Sequence, residues 1–139
     1  MNTTGLFSSA REDWATPQEL FDELNHKFGF LLDVAASADN AKCARFYGIA
    51  ADGLKQPWTG RNWMNPPYGR KIGAWCAKAD AEADKGNLTV ALLPARTDTK
   101  WYHEHCARWH KVFLRGRLHF SQGGAAPFPS MIVFFGIER

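Results

Sequence analysis

The feature that most restricts the fold is a pair of adjacent prolines, Pro66 and Pro67, in the stretch "NWMNPPYGRK" at residues 62–71. Each proline lacks a backbone N–H and has a fixed φ, so no strand or helix continues through the pair. The strand that we predict before the pair must therefore end at Asn65. Ordinary turns use Gly, Asp or Ser, so the combination of Asn, two prolines and Tyr68 indicates a rigid turn that could serve a ligand.

Helix and strand patterns alternate along the chain. Short apolar runs of strand type occur at residues 30–35, 61–64, 88–94, 111–115 and 129–137, and helical patterns occur at residues 17–28, 38–48, 70–86 and 97–109. In the first helix, Thr16 is the predicted N-cap, Pro17 takes the first helical position and Gly29 ends the helix. The alternation predicts an α/β fold with a mostly parallel sheet covered by helices. The last two strands could form an antiparallel edge.

The length and composition are those of one folded domain. The chain has 139 residues, of which 45% are hydrophobic and 22% charged, and a chain of this length buries roughly two-thirds of its unfolded surface. We therefore expect a single domain over residues 1–139, in which the polar residues 1–12 form a flexible arm. The formal net charge of +3 allows a polyanionic partner without requiring one.

The cysteines and the hydropathy predict an intracellular protein. Cys43, Cys76 and Cys106 are odd in number and show no CxxC spacing, so neither a disulfide framework nor a zinc ribbon is indicated. His103 and Cys106 lie three residues apart, but no second pair has ligand spacing, and we expect no bound metal. No apolar run approaches the length of a membrane span, and the N-terminus does not resemble a signal peptide.

The double proline lies where an α/β sheet collects its ligands, at the carboxyl end of a strand. The rigid turn holds the Asn65 side chain, the Pro66 carbonyl and the Tyr68 ring in a fixed relation. A planar base with an amino group would stack on Tyr68, which is worth ~1–3 kcal/mol, and would donate its two N–H groups to the Asn65 oxygen and the Pro66 carbonyl. These two acceptors would raise the nucleophilicity of the amino nitrogen. The alternative is a purely structural turn.

Four segments of the chain resemble motifs of one enzyme class. "NPPY" resembles the catalytic motif of the S-adenosylmethionine-dependent amino-methyltransferases, which act on adenine, on cytosine amino groups or on glutamine amides. "TPQELFDEL", "LLDVAAS" and "ADGL" resemble, in the same order, their cofactor motifs. Together with "W-x-G-x-x-W-x-NPPYGR", "ALLPARTDTKWYHEH" and "GRLHF", they are similar to the small phage-type DNA adenine methyltransferases, the phage Dam-like proteins, from Trp14 to Phe135.

This resemblance implies a fold, a reaction and a set of site residues. The implied fold is an abbreviated Rossmann-like S-adenosylmethionine-dependent methyltransferase fold. The implied reaction transfers a methyl group from S-adenosyl-L-methionine to the amino group of an adenine that is flipped out of double-stranded DNA. The implied catalytic residues are Asn65, Pro66, Pro67 and Tyr68, and the implied cofactor contacts are Thr16, Pro17, Asp33, Ala35, Asp52 and Asn65.

The chain departs from the usual methyltransferase pattern in two ways. The segment "DVAASADN" has no glycine, whereas a methyltransferase first strand ends in a glycine-rich turn. About thirty residues separate Asp33 from Asn65, which is too few for the usual second and third strands with their helices, so we expect an abbreviated sheet. Asp39 and Asn40 are candidates to hold the ribose. Asp33 could also be a capping or salt-bridged acid, and Asp52 could belong to an ordinary "DG" turn.

Basic residues near the predicted site could contact DNA phosphates. Arg70 follows the double proline, and Arg96 and Lys100 follow the strand at residues 88–94; the alternative is that these charges lie on solvated loops. No sizeable target-recognition domain is visible. Base recognition would therefore come from short loops or from a second subunit in a homodimer.

Two other functions remain open at this point. The same residues could methylate an RNA base or a protein glutamine amide. Alternatively, the chain could be a non-catalytic DNA-binding module that has lost cofactor binding, since the glycine-rich turn is missing. Transfer to purified duplex DNA and affinity for S-adenosylmethionine distinguish these functions.

Overall fold

A computed structural model describes residues 14–119 and 124–138 of the chain. The flexible arm predicted at residues 1–12 lies outside the described residues. The described elements, in chain order, are α1 (Gln18–Phe28), β1 (Leu32–Asp33), a 3₁₀ turn (Gly53–Lys55), β2 (Arg61–Met64), α2 (Ile72–Asp84), β3 (Leu88–Pro94), a π-helical segment (Tyr102–Cys106), β4 (Trp109–Phe113) and β5 (Ser130–Glu138).

The described strands form one mixed sheet in the order β1-β2-β3-β5-β4. β1 pairs with β2, and β2 with β3, in parallel. β5 pairs antiparallel with both β3 and β4. The predicted α/β architecture and its antiparallel edge are confirmed, but the sheet is parallel only over its first three strands.

The helix predicted at residues 38–48 is wrong, because this segment forms turns and bends. Its backbone groups bond to β1 and to the residues directly after β1. The Tyr47 N–H donates to the Asp33 carbonyl at 3.0 Å, and the Ala36 N–H donates to the Tyr47 carbonyl at 3.0 Å. Phe46 thereby forms a parallel bridge with Asp33 along the outer edge of β1. A segment of turns and bends, bridged to β1 at Phe46, thus takes the place that a further strand would occupy, in agreement with an abbreviated sheet.

The start of the first helix also differs from its prediction. α1 begins at Gln18, Pro17 occupies the N-cap position, and no side chain caps the helix. Thr16 is therefore not the N-cap, because its hydroxyl accepts a hydrogen bond from Asn65. The predicted end is confirmed, since Gly29 has the left-handed conformation with a φ of 65° and its N–H donates to the Asn25 carbonyl, as is typical of glycine after a helix.

The helix predicted at residues 97–109 is shorter than expected. Helical geometry is confined to residues 100–106, and Trp109 already belongs to β4. The Trp109 indole N–H donates to Asp80 of α2 at 2.8 Å, while its backbone pairs with β5. These long-range bonds draw the end of the predicted helix into the sheet.

Aromatic packing joins α1 to the sheet. The Phe21 ring packs edge-on against Trp63 of β2 at 5.4 Å, and Phe28 packs against Phe134 of β5 at 5.7 Å. Trp63, Val90 and Phe134 are register partners across β2, β3 and β5. Burying a large apolar side chain is worth ~1.5–3 kcal/mol, so this layer fixes the parallel strands whose carboxyl ends carry the site.

Candidate functional site

A cavity of about 380 Å³ lies beside the carboxyl ends of β1 and β2. Four parts of the chain contribute to its wall, though not every residue of each part lines the cavity. They are residues 14–16 before α1, residues 33–42 at and after the end of β1, residues 47–54 around the 3₁₀ turn, and residues 63–75 at and after the end of β2. The volume falls within the range of small-molecule sites. The fold thus brings segments from half of the chain to one edge of the sheet, as parallel strands require.

Most of the residues predicted for the site meet at this cavity. Those that line it are Thr16, Asp33, Ala35, Asp52, Asn65, Pro66 and Pro67. Those that do not line it are Pro17, Tyr68, Arg70, Arg96 and Lys100. Of the two ribose candidates, Asn40 lines the cavity and Asp39 does not.

The Asn65 side chain is held by its nitrogen. The Nδ2 group donates to the backbone carbonyl of Trp14 and, at 2.9 Å, to the Thr16 hydroxyl. A carbonyl oxygen can only accept a hydrogen bond, so the nitrogen, and not the oxygen, must face Trp14. Asn65 Oδ1 is buried and has no hydrogen-bond partner among the described residues. An unsatisfied buried acceptor is costly, which marks this oxygen as a place for a donor from a ligand.

Tyr68 anchors the double-proline turn to the centre of the sheet. Its hydroxyl donates to the Leu92 carbonyl of β3 at 2.9 Å, and its ring packs edge-on against Phe128 at 5.6 Å. Only 4% of the side chain is exposed, and burial raises the pKa of the phenol well above its ordinary value, so the hydroxyl stays a donor. The ring lies outside the cavity wall, and its stacking on a base stays a prediction.

Asp33 organises the turn after β1. It is 2% exposed, and its two oxygens accept the backbone N–H groups of Ala35 at 3.3 Å and Lys42 at 3.0 Å. Burial raises the pKa of the carboxyl to about 6, against the lowering effect of these hydrogen bonds. Asp33 therefore caps a turn and also borders the cavity.

The turn after β1 contains no glycine and is held by hydrogen bonds of side chains. Asn40 Oδ1 accepts the Ser37 N–H at 2.8 Å, and Lys42 Nζ donates to Gln18 of α1 at 2.7 Å. Together with Asp33, these side chains fix the backbone of residues 35–42. Hydrogen bonds to and from side chains therefore hold this turn, which contains no glycine.

Gly53 permits close contact between two segments of the backbone. It lies in residues 47–54, the loop opposite the turn after β1, which we call the facing loop. A Cβ atom on Gly53 would sit 2.1 Å from the Val34 carbonyl oxygen and 3.1 Å from the Trp75 ring. Asp52 precedes it with a φ of 58° and accepts the Leu54 N–H at 3.2 Å. The "DG" pair is thus a turn and a wall of the cavity at once, and its glycine is required by backbone contact with the end of β1.

Several residues of the cavity wall were not among the predicted site residues. They include Trp14, Tyr47, Ile49, Gly53, Lys71 and Trp75. Trp14 and Gly53 stand beside predicted motifs, and Lys71 belongs to the stretch that follows the double proline, so proximity in sequence could have indicated them. Ile49 is 98% exposed, and no pattern in the sequence distinguishes it from a loop residue.

The predicted DNA-contacting residues lie outside the cavity, and one of them is close to the double-proline turn. The Arg96 guanidinium lies 5.8 Å from the Phe128 ring centroid, and the same ring contacts Tyr68 and Trp14. Arg70 is exposed, and Lys100 forms an exposed ion pair of 3.8 Å with Glu104. Exposed pairs of this kind contribute little to stability.

Two observations concern metals and membranes. In the part of the chain that the structure describes, no three His, Cys, Asp or Glu side chains are grouped in a way that could hold a metal ion. Within residues 14–119 and 124–138, no helix has the length and apolar character of a membrane span.

Comparison with known proteins identifies the family. The family described as DNA N-6-adenine-methyltransferase (Dam) matches residues 3–131. The DNA N-6-adenine-methyltransferase of Escherichia phage T1 is 37% identical over 105 residues, which are 73% of this chain and 43% of the phage protein. The YfdM protein of Escherichia coli (strain K12) is 37% identical over 65 residues, which are 41% of this chain and 71% of YfdM. The chain thus spans less than half the length of the phage T1 relative. Because the family match extends over most of its length, the chain belongs to the DNA N-6-adenine-methyltransferase (Dam) family.

Proposed function

We propose that this protein transfers a methyl group from S-adenosyl-L-methionine to the exocyclic amino group of adenine in double-stranded DNA. Membership of the Dam family and the name of the phage T1 relative support this reaction. The structural observation that carries the proposal is Asn65 Oδ1, a buried acceptor without a partner among the described residues, in a residue that lines the cavity.

In this proposal, two acceptors hold the adenine amino group. Asn65 Oδ1 accepts one of its N–H groups, and the Pro66 carbonyl accepts the other. These two contacts would localise the nitrogen lone pair away from the ring and so make the nitrogen a better nucleophile toward the methyl group that the cofactor would supply. The products would be N6-methyladenine, S-adenosylhomocysteine and a proton released from the amino nitrogen to water. Pro67 holds the turn, which limits the conformational entropy lost on binding.

The cavity suits S-adenosyl-L-methionine by the chemistry of its wall. Asp33 offers a carboxylate for the cofactor's amino group, and Thr16 and the main chain around Ala35 lie at the same edge. The apolar Leu54 and Trp75 and the close approach at Gly53 fit a flat adenine ring beside Asp52. When bound, the cofactor supplies a methyl group on a positively charged sulfur. The parallel strands β1, β2 and β3, with α2 between the last two, are compatible with an abbreviated Rossmann-like methyltransferase fold.

Two predicted site residues take narrower roles in this proposal. Pro17 occupies the N-cap position of α1 and lies directly after Thr16, which lines the cavity. Tyr68 fixes the double-proline turn to β3 through its hydroxyl, and its ring would stack on the flipped base only after the packing against Phe128 has changed.

DNA would approach from the side of the double-proline turn. Arg96 lies beside that turn through Phe128, and Arg70 and Lys100 are exposed, so these three cations are proposed to contact phosphates. We also propose that short loops or a second copy of the chain in a homodimer recognise the target sequence. The protein, encoded by a phage or a prophage, would act in the host cytoplasm.

The deciding experiment uses methyl-labelled S-adenosyl-L-methionine and duplex DNA, followed by digestion to nucleosides. We expect the label in N6-methyladenine. Label transferred only to RNA or to a glutamine-containing protein would assign another amine acceptor. DNA retention without measurable affinity for S-adenosyl-L-methionine would contradict the proposal and leave a DNA-binding module.

A further inference from the structure

Two groups that differ in hydrogen-bonding capacity hold the side-chain nitrogen of Asn65. The Trp14 carbonyl can only accept, whereas the Thr16 hydroxyl can accept or donate. Asn65 Nδ2 donates to both groups, which uses both N–H bonds of the amide. The Trp14 carbonyl therefore decides the orientation of the amide, and the Thr16 hydroxyl accepts its second N–H; both residues lie about fifty positions earlier in the chain.

We infer that the Trp14 carbonyl and the Thr16 hydroxyl orient the Asn65 amide for methyl transfer, which makes Thr16 a positioning residue and makes position 65 selective for asparagine over aspartate. This inference rests on the proposed function, in which Asn65 Oδ1 accepts an N–H from adenine. A flipped amide would set two oxygens against each other at Trp14 and would offer the substrate amino group a donor where it needs an acceptor. The Trp14 ring, packed edge-on against Phe128 at 5.3 Å, keeps the carbonyl in place.

An aspartate at position 65 would meet the Trp14 carbonyl with a carboxylate oxygen. Both oxygens are acceptors, so a hydrogen bond between them forms only when the carboxyl is protonated. The neutral carboxyl can therefore donate to the Trp14 carbonyl as the amide does, whereas the charged carboxylate cannot. Burial and the facing carbonyl both raise the pKa of the carboxyl that the Asn65→Asp variant carries. The other charged groups on the cavity wall are Asp33 and Asp52, which raise it further when ionised, and Lys42 and Lys71, which lower it.

The first test is a pH titration of the Asn65→Asp variant, without cofactor or DNA, in which ¹³C NMR monitors the carboxyl group of residue 65. We expect a pKa for residue 65 above the ordinary value of about 3.9, and a transfer rate that falls as pH rises through that pKa. The wild-type protein, measured over the same pH range, shows the part of the profile that Asp33 causes. An ordinary pKa, or a variant with the wild-type rate and pH profile, would overturn the inference.

The second test removes the Thr16 hydroxyl and keeps the shape of the side chain. At saturating cofactor, Thr16→Val should lower kcat by about 2- to 10-fold, as expected for one lost hydrogen bond, and should leave the KM for DNA unchanged. Thr16→Ser keeps the hydroxyl and should retain most of the wild-type rate. Thr89→Val is the matched control, because Thr89 is a fully buried threonine of β3 outside the cavity wall. If Thr16→Val weakened only cofactor binding and left kcat unchanged, Thr16 would be a cofactor contact and not a positioning residue.

The two tests separate this inference from the proposed function. The pKa of Asn65→Asp needs neither substrate nor cofactor. A raised pKa in a protein that does not methylate adenine would support the orientation of residue 65 and contradict the proposed reaction. Adenine methylation by the wild-type protein together with an ordinary pKa at residue 65 would support the reaction and contradict the inference.

Discussion

Two turns meet at the cavity, and they are held in opposite ways. The turn after β1 is fixed from within, since Asp33 and Asn40 accept N–H groups that lie two, three and nine residues away in the chain. The turn after β2 is fixed by its prolines and by distant partners, which are Trp14 and Thr16 for Asn65 and Leu92 for Tyr68. The first depends on the charge of a buried acid, whereas the second contains no titrating group near neutral pH. The difference predicts that pH and local substitutions alter the first turn, and that loss of distant contacts alters the second.

The largest effect is expected at the turn after β2. Asn65→Ala removes the unpartnered acceptor and should lower kcat by about 10²–10³-fold, as does removal of one preorganised polar group in other active sites. The affinity for S-adenosyl-L-methionine should stay nearly unchanged, because most of the proposed cofactor contacts come from other parts of the cavity wall, namely Thr16, the turn after β1 and residues 52–54. Single-turnover methyl transfer and calorimetric cofactor binding measure the two quantities. A strong loss of cofactor binding would count against the separate roles of the turns.

Asp33→Asn should remove a pH dependence from the turn after β1. The pKa of Asp33 is raised by burial from 3.8 to about 6, so the folded protein binds this proton more tightly than the unfolded chain. The resulting stabilisation is complete below pH 3.8 and is lost as pH rises through about 6, by about 3 kcal/mol in all. Urea unfolding of both proteins between pH 4 and 7 should show the wild-type free energy of unfolding falling relative to the variant. A difference that does not change with pH would contradict the raised pKa.

The same ionisation should govern the cofactor. If the Asp33 carboxylate holds the cofactor's amino group, the affinity of the wild-type protein for S-adenosyl-L-methionine should increase as pH rises through about 6. The variant should bind more weakly and without this increase. Equal pH profiles for the two proteins would remove Asp33 from the cofactor site.

Gly53→Ala tests the close contact between Gly53 of the facing loop and the Val34 carbonyl after β1. The new Cβ would lie 2.1 Å from the Val34 carbonyl oxygen, so the backbone must move, at a cost of about 1–3 kcal/mol. We expect a lower melting temperature and weaker cofactor binding. Gly60→Ala is a suitable control, since a Cβ there would meet no atom within 4 Å. Equal behaviour of the two variants would show that the close approach is unimportant.

The smallest effect is expected for Tyr68→Phe. It removes the hydrogen bond to the Leu92 carbonyl and keeps the ring, so the free energy of unfolding should fall by about 0.5–1.5 kcal/mol with little change in kcat. Tyr68→Ala should also lose the packing against Phe128 and any stacking on a base. If Tyr68→Phe lowered kcat as strongly as Tyr68→Ala, the hydroxyl would have a role beyond anchoring the turn.

The sequence predicted several residues of the cavity wall, but it did not predict the long-range contacts that hold them. Thr16, Asp33, Asp52 and Asn65 line one cavity as their motifs implied, because motifs at strand ends are brought to one sheet edge by parallel topology. The packing of Tyr68 against Phe128 and the contact between Gly53 and Val34 join residues far apart in the chain. No local pattern encodes such pairs.

Local chemistry in the sequence was sufficient for the α/β alternation, for the end of β2 at the double proline and for the family. Each of these follows from side-chain periodicity, from the missing N–H of proline or from motifs in a fixed order. Only the folded chain settled that residues 38–48 follow β1 as turns and bends with one bridge at Phe46, that Trp109 belongs to a strand and that the Asn65 nitrogen faces Trp14. These outcomes depend on hydrogen bonds between residues distant in sequence, whose free energies outweigh the weak helical propensity of a short segment.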